Sequence, residues 1–435
     1  MNPELTSASQ LDVPAAEVPA LTPTGTSPAP HTILNVSQNH YVRGGSDRYF
    51  FVLSELLQQH GHRVIPFAAA QKDDLPSEWS KYFPPGFDFS RPRVRDIPRF
   101  VYSRPAAQAM RRLIADVRPD VAHLQIYYGQ LTASILEPLR EAGIPIVQTI
   151  HDFKLVCPVY SLMSHGEICE ACQGRQFWKA AVRRCNRGSL ARSLVSTVES
   201  YVSRHAGIVD KVDRFIAVSD FQRNKLAELG VPADKITVIH NFKDATTIEP
   251  SFTAGEYFLY FGRIERLKGI FTLLDAAERL PQARFILVGD GDARAEVAQR
   301  LARPELAHVE LQDFASGDRL ARLIQGSLAT ILPSEGYDNC PMAVLESLAY
   351  AKPVVGSRIG GIPELVDEGQ DGWLADPGDA EDLAACLNRL WQDSESCLAM
   401  GRRGREKVLR RFNSENYYQQ LLDVYGQVLS AHAAG

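Results

Sequence analysis

No run of residues in this sequence is long and apolar enough to cross a bilayer, which takes about twenty. The first residues also lack the basic start and apolar middle of a secretory signal, so the chain reads as cytoplasmic. A strong excess of charge of one sign is lacking: 47 Lys and Arg stand against 52 Asp and Glu, a formal −5. That balance argues against a nucleic-acid partner, and any basic patch has to be local. Cysteine is too thin for a disulfide framework. Seven thiols, an odd number spread over 435 residues, fit reduced cysteines or a metal site. The absence of a short-period repeat speaks against a solenoid.

What is present is alternation. At 435 residues the chain exceeds one ordinary core, and 45% hydrophobic with 23% charged residues lets two halves be globular. Residues 1–31 are rich in Pro, Ala, Ser and Thr without periodic apolar spacing and read as a disordered leader. From Thr32 onward, short β-branched runs at 33–36, 64–67, 121–124, 146–149 and 215–218 alternate with helical patterns such as 47–60 and 221–229. A second series follows, with strands at 257–261, 285–288, 309–311, 329–332 and 353–356 and a helix over 270–280. Alternation of this kind means parallel sheets covered by helices on both faces, hence an α/β chain of two doubly wound domains, residues 32–243 and 253–413. The polar stretch 241–255, with Pro250, reads as the linker between them. Ligands in such folds bind beyond the carboxyl ends of the strands, so a cleft between the domains is the expected site. The last segment, 414–435, carries a stripe of Tyr417, Leu421, Leu422, Tyr425 and Val428, and is expected to cross back to the first domain.

Several strand-to-helix turns carry chemistry. Residues 333–355, PSEGYDNCPMAVLESLAYAKPVV, place Asp338 in a loop and Glu346 about one turn into a helix starting near Met342. Free backbone N–H groups and a positive helix end converge there, which suits a phosphate, and Glu346 can reach a hydroxyl beside it. The segment GRIERLKG, 262–269, follows a strand and offers Arg263 and Lys268 to a diphosphate, though two solvated surface cations fit the same spacing. Gly44 and Gly45 follow the first strand and permit close backbone approach to a ligand, or merely a tight turn. The VGDGD run, 288–292, puts Gly289 and Asp290 at another strand end, as a base or ribose contact or an ordinary turn. In GGIPELV, 360–366, a Gly pair and Pro363 repeat the anion-site architecture.

An insertion over 157–185 holds Cys157, Cys169, Cys172 and Cys185, of which Cys169 and Cys172 form a CxxC knuckle. Four such thiols can close a tetrahedral structural zinc site, and unrelated reduced cysteines are the plain alternative. Around it Arg175, Lys179, Arg183, Arg184, Arg187, Arg192 and Arg204 interleave with Phe177 and Trp178. That stretch suits peripheral contact with an anionic membrane or a lipid diphosphate, or is a solvated helix face.

In combination, GG after strand one, GRxxxxKG, VGDG, the acids Asp338 and Glu346 and GGIPELV closely resemble family 4 of the retaining glycosyltransferases, over about residues 32–432. The resemblance implies a GT-B fold, two Rossmann-like domains facing a central cleft. It implies transfer from a nucleotide diphosphate-sugar to a glycan or lipid-linked acceptor with retention and with no cofactor required for catalysis. By the same resemblance Arg263, Lys268 and backbone amides neutralise the diphosphate, and Glu346 holds the ribose. Asp338, where the family has Glu, accepts from the donor sugar. His151, in IHDF at the end of a strand, would lie against that sugar, and Asn339, Cys340 and Met342 would supply N–H groups that Pro341 cannot. A catalytically silent nucleotide-sugar-binding scaffold and another GT-B chemistry, such as epimerisation, remain the alternatives.

Overall fold

The computed structural model describes residues 30–87 and 93–434, and the leader expected over 1–31 lies outside them but for its last two residues. The first half runs β1 (Thr32–Val36), α1 (Gly45–Gln59), β2 (Arg63–Phe67), α2 (Ile97–Val101), α3 (Arg104–Val117), β3 (Val121–Leu124), α4 (Leu136–Glu141) and β4 (Ile146–Ile150). It continues through a hairpin, β5 (Met163–Ser164) and β6 (Glu167–Ile168), then α5 (Trp178–Val182), α6 (Leu190–His205), β7 (Arg214–Ala217), α7 (Asp220–Glu228) and β8 (Ile236–Val238).

Residues 239–256 contain neither helix nor strand. The second half runs β9 (Tyr257–Phe261), α8 (Ile270–Glu278), β10 (Arg284–Val288), α9 (Arg294–Arg300), β11 (Val309–Gln312), α10 (Gly317–Gly326) and β12 (Ser327–Leu332). After these come α11 (Met342–Ala349), β13 (Val354–Ser357), α12 (Ile362–Leu365), β14 (Gly372–Ala375), α13 (Ala380–Gln392), α14 (Ser394–Arg411) and α15 (Ser414–Ala433).

The chain builds two six-stranded parallel sheets, ordered β2-β1-β3-β4-β7-β8 and β11-β10-β9-β12-β13-β14. The expected pair of doubly wound units is met. Strands such as β4 (IVQTI) and β12 (SLATIL) are buried at every position, which is why they read as mostly apolar runs without alternation between the two faces. Three short pieces escaped the sequence reading: the edge strands β8 and β14, and the hairpin β5–β6 inside the insertion.

Helix α15 leaves the second unit and packs on the first. Its Tyr417, Leu421, Tyr425 and Val428 are buried with Ile33, Tyr49, Leu53 and Val147, and Tyr425 O–H reaches His123 Nδ1 at 2.7 Å. Burial pushes the His123 imidazole down to about 3, so it stays neutral between Tyr425 and Thr149.

Candidate active site

Strand order fixes where a ligand goes. In the second sheet the order reverses between β9 and β12, and the loops leaving their carboxyl ends are 262–269 and 333–341. Those are the two segments that carry Lys268 and Asp338. The loops lock together through glycine. Gly269 has φ +68, and a Cβ there would sit 1.7 Å from the Pro333 carbonyl oxygen, while the N–H groups of Glu335 and Gly336 donate to Leu267 O at 2.9 and 3.1 Å. From the neighbouring strand, Gly361 supports the same loop. Its N–H donates to Asp338 O at 2.7 Å, and a Cβ would collide with Asn339 O at 1.8 Å. The Gly pair of GGIPELV thus buttresses the acid-bearing loop instead of repeating it as a second anion site.

At the centre, Lys268 pairs with Asp338, and Ser334 O–H donates to the second Asp338 oxygen. Both partners are largely shielded, at 21% and 16% side-chain exposure. Helix α11 begins at Met342 behind Pro341, so its first N–H groups lack intrahelical partners at the point the sequence indicated. One turn in, Glu346 takes Lys243 Nζ at 3.3 Å and lies 3.6 Å from Arg48 Nη1, which reaches across from α1. Arg48 and Lys243 were missed in the sequence. Arg48 had a signal, since it lies three residues past the Gly44–Gly45 pair.

The first unit supplies the opposing wall. Gly44 caps α1 in extended conformation, and a Cβ at Gly44 or Gly45 would meet nothing within 4 Å, so these glycines leave space that the fold itself does not use. Asp47 holds the turn by accepting the N–H groups of Arg43 and Gly44 at 3.2 and 3.0 Å. His151 follows β4, its Nε2 2.8 Å from Gln125 Oε1 and its ring edge-on to Tyr49 at 5.0 Å. Burial pushes that ring down to about 4, so it is neutral near pH 7. Across the cleft, Asn339 Nδ2 donates to His151 O at 3.1 Å, joining the donor-side loop to the end of β4. The Asn339 Oδ1 atom is buried with no protein partner, as is Asn241 Oδ1. Cys340 is also buried, its thiol pushed up to about 12 by burial, and its carbonyl accepts from Asn241.

Not every expected residue converges. Arg263 is turned outward, 69% exposed, and paired with Glu265 at 2.8 Å. Gly289 is there for packing, since a Cβ would lie 1.8 Å from Gly262 O, and the exposed Asp290 folds back onto the N–H of Gly291. A concavity of about 590 Å³ between α14 and α15, lined by Lys407, Arg410 and Arg411, is separate from these loops. Among the described residues, one trio of candidate metal ligands has its atoms within 4.8 Å, Asp220, His240 and Glu364. Its Glu364 is already occupied, by the N–H groups of Asp220 and Phe221 at 2.8 and 2.6 Å and by His240 at 2.8 Å. That trio is a tie between α12 and the start of α7.

Two family models together match most of this chain: "Glycosyltransferase Family 4" matches residues 43–246 and "Glycosyl transferases group 1" matches 243–407. The chain belongs to glycosyltransferase family 4. Among the curated relatives of this family-4 chain, the amylovoran biosynthesis glycosyltransferase AmsK of Erwinia amylovora is 30% identical over 48% of the chain and 55% of the relative. The N-acetyl-alpha-D-glucosaminyl L-malate synthase of Bacillus anthracis is 28% identical over 51% of the chain and 61% of the relative. The chain therefore spans little more than half the length of the curated relatives it matches. Solved structures share its GT-B fold. Sucrose-phosphate synthase of Thermosynechococcus elongatus superposes with TM-score 0.70 at 20% identity, covering 92% of this chain and 100% of that one. Anabaena HepE in complex with UDP-glucose gives 0.65 at 18%, covering 91% and 100%.

Proposed function

We propose that the protein transfers a glycosyl group from a nucleoside diphosphate-sugar to a hydroxyl of a glycan or lipid-linked acceptor, with retention at the anomeric carbon. One observation carries this reading: at the switch point of the second sheet, Lys268, Asp338, Glu346 and the start of α11 gather opposite His151 and the open Gly44–Gly45 turn. A diphosphate at the α11 N-terminus competes with Asp338 for Lys268 and frees the carboxylate to accept from sugar hydroxyls. Glu346 accepts from the ribose, with Lys243 and Arg48 holding it in place. The orphan Oδ1 of Asn339 is an acceptor left for a donor hydroxyl. His151, neutral, orients the sugar through its ring and through the carbonyl tied to Asn339. In the transfer the bond from anomeric carbon to diphosphate oxygen breaks, the acceptor oxygen bonds to that carbon on the same face, and the acceptor proton passes to the leaving diphosphate. Incubation with UDP-, GDP-, ADP- and TDP-sugars, with and without acceptor extract, tests it. Acceptor-dependent nucleotide release and a product of unchanged anomeric configuration are expected. Tight nucleotide binding without turnover on any donor would leave a silent scaffold.

The reading extends to the insertion, whose four thiols suit a structural zinc ion. Cys169 follows β6, Cys172 begins the next turn, and Cys157 and Cys185 flank the hairpin. The Cys157 sulfur faces the N–H groups of Val159 and Leu162, and the Cys172 sulfur faces that of Ala180, the kind of donors that steady thiolates. Burial and then the other three thiols push Cys172 up to about 12, so without metal it keeps its proton. The backbone also needs a tie: Tyr160, Leu162, His165, Arg175, Arg184 and Arg187 all have φ between 51° and 66°. Each such residue costs about 1 kcal/mol. No three of these sulfurs lie within 4.8 Å of one another, so binding would have to draw them together.

A further inference from the structure

Helix α6 is inside out. Ser193, Ser196, Thr197, Glu199, Ser200 and Ser203 are buried, whereas Leu190, Leu194, Val198 and Tyr201 are 53%, 53%, 44% and 41% exposed. The exposed four fall at helical spacing and form one apolar stripe. The polar burial has a cause. Glu199 forms a buried ion pair with Lys154, Ser203 O–H donates to Glu199 at 2.7 Å, and Thr197 O–H donates to Phe177 O at 3.3 Å. Rotating α6 to hide the leucines would strand that pair, so the stripe is fixed outward.

The stripe continues onto α5, where Trp178 and Val182 are 52% and 69% exposed and the Trp178 N–H donates to Tyr201 O–H at 3.3 Å. Cations surround it. Between residues 171 and 198 stand Arg175, Lys179, Arg183, Arg184, Arg187 and Arg192 with no Asp or Glu, and none of the six is in an ion pair among the described residues. An apolar stripe bordered by cations matches the boundary between acyl chains and anionic headgroups. A second copy of the chain matches poorly, because a two-fold interface would set six cations against six.

We propose that the α5–α6 face docks on an anionic lipid surface. The same segment is linked to the cleft. Lys154, held by α6, lies three residues after His151, and Glu170 of the same insertion accepts from Tyr337 of the acid-bearing loop at 2.9 Å.

Sedimentation with vesicles tests this without any turnover, so its outcome is independent of the transferase reading. The protein is expected to pellet with phosphatidylglycerol-containing vesicles at low salt, to release at high salt, and to stay in solution with phosphatidylcholine alone. Leu194→Ser with Val198→Ser, both exposed in the fold, is expected to keep the melting temperature and weaken vesicle binding by about tenfold or more. Arg183→Glu with Arg187→Glu weakens it as well. Absence of binding to anionic vesicles at low salt overturns the proposal, as does equal binding by the double serine variant. A dimer in light scattering that the serine variant dissociates would make a second copy the occupant and overturn it too.

Discussion

Lys268 and Asp338 hold each other in the cleft, and the same two groups are asked to receive a diphosphate and a sugar. Exchange of one anion for another is inexpensive at a cation already desolvated, which is why the pair can serve as a preorganised seat. Lys268→Ala removes the seat and leaves Asp338 with only Ser334. Nucleotide-sugar affinity is expected to fall by about 10- to 100-fold, the equivalent of one charge-assisted hydrogen bond. Calorimetry checks it, and unchanged affinity removes Lys268 from the donor site. His151 makes a different prediction. Its folded value of about 4 lies below the ordinary 6.5, so the neutral ring contributes stability that is full above 6.5 and lost as pH falls towards 4. Asp152 next to it is pushed up to about 6 by burial and takes a proton in the folded state over the same range, opposing that loss. Asp152→Asn should therefore steepen the fall of melting temperature between pH 6 and 4.5. The His151 ring resonances should not titrate between pH 7.5 and 5.5.

At the scale of elements, the loops that bear the chemistry are set by glycine, and two glycines separate packing from ligand space. Gly269→Ala forces a side chain into a left-handed residue against Pro333, and a loss of more than about 2 kcal/mol is expected in urea unfolding. Gly44→Ala meets open space in extended backbone, so stability should hold while donor affinity drops. Unchanged affinity would take Gly44 out of the donor site. Much of this was legible in the sequence, because fully buried parallel strands print as apolar runs and their loops print as Gly-rich turns: β3 and β9 match the expected residues end for end. What was illegible depends on juxtaposition. Arg48 and Lys243 gain meaning only once α1 and the linker are brought against Glu346, and α6 defeats periodicity because a buried Lys154–Glu199 pair turns its polar side inward. The cysteine insertion was legible by its thiols and not by its shape. Metal analysis of the purified protein is expected to return about one zinc per chain, and chelation should lower the melting temperature. A metal-free, folded protein of equal stability rules the ion out.

Among the described residues, ties that cross the cleft join Asn339 to the end of β4, Tyr337 to Glu170, and Glu364 to the start of α7, besides the pairing of Arg48 with Glu346. The third is the most concentrated. Burial of Glu364 favours its neutral form, but His240 and the amides of Phe221 and Asp220 outweigh that and hold its carboxyl below the usual range. The tie is therefore present above the ordinary carboxyl value and is lost as pH falls through the lower folded one. It also serves as the N-terminal cap of a helix in the other unit, so its loss orphans two amides at once. Glu364→Ala is expected to loosen the approach of the two sheets without touching Lys268, Asp338 or Glu346. Nucleotide binding, built mostly on the second unit, should change by less than about threefold, while turnover, which needs His151 opposite the donor loop, falls by about tenfold or more. Small-angle scattering should record a larger radius of gyration for the variant at pH 7, and the parent protein should approach it only as acid protonates Glu364. An unchanged radius with unchanged turnover would reduce Glu364 to a local helix cap.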